Sequence, residues 1–191
     1  MPRDSASLTP RTSSGSAVTL GGEAVRSWPH PRLWAMLALV TLPVMALDQL
    51  SKLYISTHFR LDQTVALIPN WLDLTYTLNP GAAFSLFATM PAELRSMFFL
   101  LLSAVAIVVL AALLGRRAEP PANSIALALI LGGTIGNLLD RIARGKVIDF
   151  IYFHHDRFSY PVFNFADSAI TIGVAIILLA GLFTRSSTPN T

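Results

Sequence analysis

The sequence predicts an all-α membrane protein, a four-transmembrane-helix bundle with a small β-sheet in the loop between its first two spans. Three observations carry this expectation. Four long apolar stretches punctuate the 191 residues. Only 13% of residues are charged, against about 25% in a soluble domain. One segment between the stretches alternates apolar and polar residues. With 53% hydrophobic residues and a mean hydropathy of +0.56, the composition excludes an ordinary soluble globule. It also excludes a chain disordered throughout, which needs low hydrophobicity and high charge.

Residues 1–32 stand apart, with Ser5, Ser7, Ser13, Ser14 and Ser16 beside Pro2, Pro10, Pro29 and Pro31. They show no apolar periodicity and cannot bury enough apolar area to offset chain entropy, so a disordered tail is expected. The first apolar stretch, Leu33 to Leu50, contains Pro43 and closes on Asp48. Val44-Met45-Ala46 has the small-residue look of a cleavage site. The stretch runs past it into Asp48-Gln49-Leu50-Ser51-Lys52, however, and a retained span is expected. Leu72-Asp73-Leu74-Thr75-Tyr76-Thr77-Leu78 alternates as a half-buried strand does, and Asn79-Pro80-Gly81 marks a turn. Pro91 and Glu93 fit the start of the second helix, whose apolar run extends from about Leu94 to Leu114. The third run covers about Ala122 to Ile142, with Gly132, Gly133 and Gly136 inside it. The fourth covers about Val162 to Phe183, with Asn164 and Asp167 in its first turns. Each suffices for a span, which needs roughly 17 to 25 residues. The bundle is expected over 33–184, with 185–191 a short tail.

The formal net charge of +3 comes without a basic stripe, which argues against nucleic-acid binding. The chain has no Cys, so disulfides, thiol nucleophiles and thiolate metal sites are excluded. Four spans put both termini on one side of the membrane. Lys and Arg then divide evenly. Arg3, Arg11, Arg26, Arg32, Arg116, Arg117 and Arg185 fall on one side, and Lys52, Arg60, Arg95, Arg141, Arg144, Lys146 and Arg157 on the other. The positive-inside rule does not decide the orientation, although Arg116 and Arg117 in a very short loop favour a cytoplasmic side for that loop.

The few polar residues near the span ends are the sharper clue. Asp48 closes the first stretch, Asn137, Asp140 and Arg141 the third, and Asn164 and Asp167 open the fourth. Topology brings these ends to one face of the bundle, where Asn79 and Asp149 also lie in the loops. Gly133, Asn137 and Arg141 recur at i, i+4, i+8 and share a stripe, with Gly136 and Asp140 on the next; Asp48 and Lys52 are spaced for an ion pair. Such residues also serve as caps and interfacial anchors. Gathered on one face of a chain with few other charges, they are expected to form a functional site.

Five motifs occur in order: Asp48-Gln49-Leu50-Ser51-Lys52, Asn79-Pro80-Gly81-Ala82-Ala83-Phe84, Gly132 to Arg141, Val147-Ile148-Asp149-Phe150 and Phe163-Asn164-Phe165-Ala166-Asp167. Together, over about Leu33 to Phe183, they resemble bacterial lipoprotein signal peptidase (signal peptidase II). The resemblance implies an aspartyl endopeptidase of the bacterial cytoplasmic membrane. Such an enzyme removes signal peptides from diacylglyceryl-modified prolipoproteins, cutting just before the lipidated Cys. It implies that both termini are cytoplasmic, that the sheet is extracytoplasmic and that the active site faces the outer leaflet. It also implies catalysis by Asp149 and Asp167, with Asp48, Asn79, Gly81, Asn137, Arg141 and Asn164 lining or supporting the site; Lys52 and Asp140, from their spacing and place at the span ends, are expected to support it as well. Prolipoproteins and membrane lipids are the expected partners. No metal, organic cofactor or oligomer is called for.

The chemistry suits the residues. Two nearby carboxylates cannot both ionise cheaply, so they share a proton. The ionised Asp draws a proton from an attacking water while its partner stabilises the oxyanion and protonates the leaving amine. Base and acid cannot be assigned individually, because the pair titrates as a unit. The strand in the first loop is expected to cover the substrate. Other readings fare worse. Ser51 and Lys52 are adjacent on a helix and do not face each other. His154-His155-Asp156 lacks metal spacing and reads as a polar loop. Phe98-Phe99 and Phe163-Phe165 read as packing or lipid-facing residues. The alternative from another class is a small proton-coupled membrane transporter relaying protons through Asp48, Asp140 and Asp167, but the two halves show no inverted repeat.

Overall fold

The structure is a computed structural model that describes residues 31–81, 89–116 and 120–185. The expected tail up to residue 30, Ala82-Ala83-Phe84 of the second motif, Arg117, and the terminal segment from 186 lie outside the described residues.

Among the described residues, four helices are long and apolar enough to cross a membrane: Leu33–His58, Ala92–Leu114, Pro121–Arg144 and Phe165–Leu182. The first is composite. A short α1 (Pro31–Met36) passes through a π-helical turn (Leu37–Thr41) into α2 (Leu42–His58). The widened turn comes just before Pro43, whose ring cannot supply a backbone donor. There the buried Thr41 hydroxyl donates to the Ala128 carbonyl on the third span, 3.0 Å away. The helix starts at Pro31, two residues before the expected boundary. It also continues well past Leu50 to His58, so Asp48 and Lys52 lie inside it. The apolar run breaks at Asp48 because that side chain turns inward, not because the helix stops.

Helix α3 (Ala92–Leu114) follows the expected bounds, with Pro91 as its N-cap and Glu93 in its first turn. Helix α4 (Pro121–Arg144) ends on Gly145 in the left-handed conformation (φ +70°). Helix α5 (Phe165–Arg185) starts three residues later than expected and includes Arg185. Asn164 precedes the helix as its cap.

Helix α4 is the hub, packing on α2, α3 and α5. Its small residues permit close approach. A Cβ on Gly133 would collide with the Ala166 carbonyl of α5, and one on Gly136 would sit 2.5 Å from Asp48 Oδ2. Outward faces are apolar, with Leu39, Val108 and Leu178 all more than 60% exposed. In a bilayer those side chains meet acyl chains instead of water. One buried cluster, Leu33, Leu114, Leu127, Ala128 and Leu131, closes the end of the bundle where α1 and α4 begin and α3 ends.

The other end carries a four-stranded antiparallel sheet, in the order β1 (Thr64–Ile68), β2 (Leu72–Asn79), β3 (Val147–His155), β4 (Phe158–Ser159). The expected strand in the first loop is β2. The sheet extends beyond that loop, since β3 and β4 come from the segment between α4 and α5. The β-branched and aromatic run Val147 to Phe153 is the sequence signal for β3. Consequently His154 and His155 end a strand instead of sitting in a loop. His154 Nε2 lies 3.0 Å from Asp73 Oδ2, and His155 stacks on Trp71 at 3.8 Å. Ile55 of α2 packs with Ile148 and Phe150 of β3, and Leu74, Tyr76 and Leu78 of β2 close around them. This cluster fixes the sheet, β2 included, onto the helix ends.

Replacing Gly133 by Val should push α5 off α4 and cost about 1–3 kcal/mol, as overpacking does. Thermal unfolding in detergent should show a lowered midpoint, and an unshifted midpoint would show that the contact is not tight.

Candidate active site

Asp149 and Asp167 reach one cavity from different elements. Asp149 stands opposite Thr77 in the β2–β3 ladder and is 2% exposed. It points inward because Val147 to Phe150 are buried on both faces of the strand. Asp167 occupies the first turn of α5, where the Asn164 side chain accepts from the Asp167 N–H (2.9 Å) and the Asn164 N–H points back to Asp167 Oδ2 (3.3 Å). This reciprocal capping box, with Asp in place of the usual Glu or Gln, ties the acid to the helix start.

The cavity, about 400 Å³, is lined among the described residues by Thr77, Asn79, Gly81, Phe99, Arg141, Asp149, Tyr160, Pro161, Val162, Phe163 and Asp167. Five of the ten residues expected at the site therefore line it: Asn79, Gly81, Arg141, Asp149 and Asp167. The other five, Asp48, Lys52, Asn137, Asp140 and Asn164, are buried behind it.

The second group orients the first. A side-chain amide has one accepting and one donating end, and here each accepting end is already engaged. Asn79 Oδ1 accepts from the Gly81 N–H at 2.8 Å, so its Nδ2 reaches Asp149 Oδ2 at 2.9 Å. Asn164 Oδ1 accepts from Asp167 N–H, so its Nδ2 reaches Asp149 Oδ1 at 2.7 Å. Asn137 Oδ1 accepts from Lys52 Nζ at 3.0 Å, so its Nδ2 reaches Asp167 Oδ1 at 2.8 Å. Three amides thus aim three donors at two carboxylates.

Lys52 anchors this set. Its ammonium, 1% exposed, lies 2.8 Å from Asp48 Oδ2 and 3.0 Å from Asp140 Oδ2, both carboxylates having no exposure. Asp48 Oδ1 accepts from the Ala166 N–H at 3.0 Å. Asp140 accepts from the Ile148 N–H at 3.1 Å and pairs with Arg144 at 2.8 Å. Lys52 has three partners, and each oxygen of Asp48 and Asp140 has at least one, the kind of compensation under which buried charges are tolerated. The Ser51 hydroxyl donates to the Asp48 carbonyl of its own helix at 2.8 Å, and Ser51 does not line the cavity.

Arg141 donates to the Asn137 carbonyl at 3.2 Å, and its guanidinium lies 5.5 Å from the centre of the Phe99 ring. Phe99 also packs against Gly81, whose φ of +90° and lack of a Cβ let the ring approach. Phe99 and Phe163 are thus cavity walls, beyond the packing role expected from sequence. Tyr160, Pro161, Val162 and Thr77 were not singled out by sequence reasoning. The first three carry no charge or motif, and for Thr77 the only signal was its place in the alternating strand.

Burial pushes the Asp149 carboxyl up to about 7. The Asp167 charge acts in the same direction, against the hydrogen bonds from Asn79 and Asn164 and the Lys52 charge. The arrangement is a protonatable carboxyl pair at the edge of a membrane bundle, open to one cavity.

The class so defined is a membrane-embedded hydrolase. The family model for signal peptidase (SPase) II matches residues 40–183. A lipoprotein signal peptidase of Syntrophotalea carbinolica is 41% identical over 76% of this chain and 89% of its own length. One from a Pseudomonas fluorescens strain is 44% identical over 81% and 89%. A solved structure described as a bacterial membrane enzyme, determined by the in meso method at 2.3 Å resolution, superposes with a TM-score of 0.71. It shares 29% identity and covers 82% of this chain and 93% of its own. The chain belongs to the signal peptidase II family, and is accordingly a multi-pass membrane peptidase.

Lys52→Met should leave Asp48 facing no cation in a dry interior, at a cost of about 3–5 kcal/mol. Unfolding in detergent should show a large loss, partly recovered in Asp48→Asn/Lys52→Met. Wild-type stability in Lys52→Met would refute the anchoring role.

Proposed function

We propose that the protein removes the signal peptide from diacylglyceryl-modified prolipoproteins by activating a water between Asp149 and Asp167, cutting just before the lipidated Cys. The observation that carries this reading is that the two acids line one cavity while locked amides fix the orientation of both. The ionised member of the pair takes a proton from water as the oxygen attacks the scissile carbonyl. The protonated member hydrogen-bonds the oxyanion and then delivers its proton to the leaving amine of Cys. Base and acid belong to the pair, because a shared proton is a property of both groups. Arg141, on the cavity wall, is placed to hold the extended substrate backbone. The buried amides keep both carboxylates in register, so little reorganisation accompanies the reaction.

The proposed setting is the bacterial cytoplasmic membrane, with both termini cytoplasmic, the tails 1–32 and 185–191 included, and the cavity toward the outer leaflet. Arg116 follows α3 at the bundle end opposite the acid pair, and Arg117 is next to it in sequence, which supports this orientation under the positive-inside rule.

Asp149→Asn and Asp167→Asn should each abolish release of the signal peptide from a lipidated substrate in detergent, with folding retained; activity in either would overturn the mechanism. The pH profile of kcat/KM should be bell-shaped. The pair works with one proton, so activity is lost at low pH when both acids are protonated and at high pH when the second proton leaves. With Asp149 pushed up to about 7, the alkaline limb should fall near that pH. A profile flat through pH 8 would contradict the shared proton.

A further inference from the structure

The segment after β4 returns along β3 and forms one wall of the catalytic cavity. Tyr160, Pro161, Val162 and Phe163 all line that cavity, beside Asp149 and Asp167. Phe163 pairs with Ile151. Its N–H donates to the Ile151 carbonyl at 3.0 Å, and its carbonyl accepts from the Ile151 N–H at 2.8 Å and the Phe150 N–H at 3.0 Å. The Tyr160 N–H donates to the Phe153 carbonyl at 2.9 Å. Between these two contacts β3 has one residue, Tyr152, whereas the returning segment has two, Pro161 and Val162. The extra residue makes a bulge in the cavity wall.

The bulge leaves a short peptide edge open. Both backbone groups of Phe163 face β3, and in extended chain the groups of the next residue face the opposite edge. Among the described residues, the Val162 N–H and C=O have no hydrogen-bond partner. Val162 is only half-buried, and Pro161 has no N–H to add. The open edge is thus one residue long, a donor and an acceptor together. Neighbouring polar side chains are committed: the Thr77 hydroxyl donates to the Asp149 carbonyl at 3.1 Å, and the Asn79 amide spans Gly81 and Asp149. An N–H and a C=O are costly to leave dry at a membrane edge, and an open strand edge is a template for another extended chain.

We infer that Val162 pairs through its backbone with one residue of the signal peptide just upstream of the scissile bond, as in the hydrogen-bonded pair of an antiparallel ladder. This rests on the proposed prolipoprotein substrate. The carbonyl of the residue before the Cys is the one attacked between the two acids, so it is not the carbonyl that Val162 holds. A compact cavity of about 400 Å³ is roughly 7 Å across, about two residues of extended chain at about 3.3 Å each. The paired residue is accordingly the second or third before the Cys. Main-chain pairing sets the register of the peptide on the acid pair whatever its side chains.

The test uses a lipidated prolipoprotein peptide and a series in which successive backbone amides before the Cys are replaced by esters. Each ester removes one N–H and weakens the preceding carbonyl as an acceptor. With the full-length wild type in detergent, two adjacent esters should each raise KM about fivefold. One lies at the paired residue, which loses its N–H, and the other at the residue after it, which weakens the paired carbonyl. Val162→Pro removes the protein's donor without breaking an internal hydrogen bond. It should raise KM for the all-amide peptide and erase the second ester effect while keeping the first. Val162→Ala, which retains the backbone, should keep both. An ester series without such an adjacent pair, or a folded Val162→Pro protein with both effects intact, would overturn the inference. Amide exchange gives a readout free of any change at Val162. In Asp149→Asn holding the peptide uncut, the Val162 N–H should exchange with deuterium about tenfold or more slower than in the free protein, and unchanged exchange would also overturn the pairing. If the wild type cuts no lipidated peptide at all, the substrate reading itself fails, and this inference with it.

Discussion

The structure depends on one buried cation. Lys52 holds Asp48 of its own helix, Asp140 and Asn137 of α4, and through them the first turn of α5 and the start of β3. A charge of this kind is costly to bury, and it is retained only where its partners compensate fully. The outward faces of the spans meet lipid, which offers little hydrophobic drive for helices to associate. Direction must then come from polar contacts, and Lys52 supplies it at the level where the helices meet the sheet.

From that point orientation is passed along a chain of amides. Lys52 fixes which end of Asn137 faces Asp167; the capping box fixes which end of Asn164 faces Asp149; Gly81 does the same for Asn79. Each link is an acceptor engaged on one side so that a donor is committed on the other. A loop-borne acid pair would wander. Here one carboxylate sits on a strand with both faces covered and the other in a capped helical turn, so both geometries are set by backbone elements.

Much of this was legible in the sequence because charges are scarce. An Asp or Lys within an apolar stretch stands out, and Asp48, Lys52, Asp140 and Asp167 were visible for that reason. The i, i+4 spacings foretold the Asp48–Lys52 pair and the shared stripe of Asn137 and Arg141. What could not be read was which residues face the cavity and which lie behind it, since periodicity gives a shared face but not depth. Helix bounds near inward-facing charges were also misplaced. Hydropathy treats Asp48 as a terminus, whereas a buried ion pair lets the helix run on to His58. Strand β3 was missed because Asp149 drew attention as chemistry within a run that is otherwise β-branched and aromatic. The apolar walls, Phe99, Tyr160 and Phe163, carry no signal distinguishing a lining residue from a packing one.

The bond from Ala166 N–H to Asp48 joins positions 118 residues apart, and that from Asn79 to Asp149 joins positions 70 apart. During synthesis the first three spans emerge without Asp167, its capping partner Asn164, or the backbone donor that satisfies Asp48. No nascent fragment can hold the site. The polar network around the two acids is thus complete only once the fourth span is inserted and docks on α4.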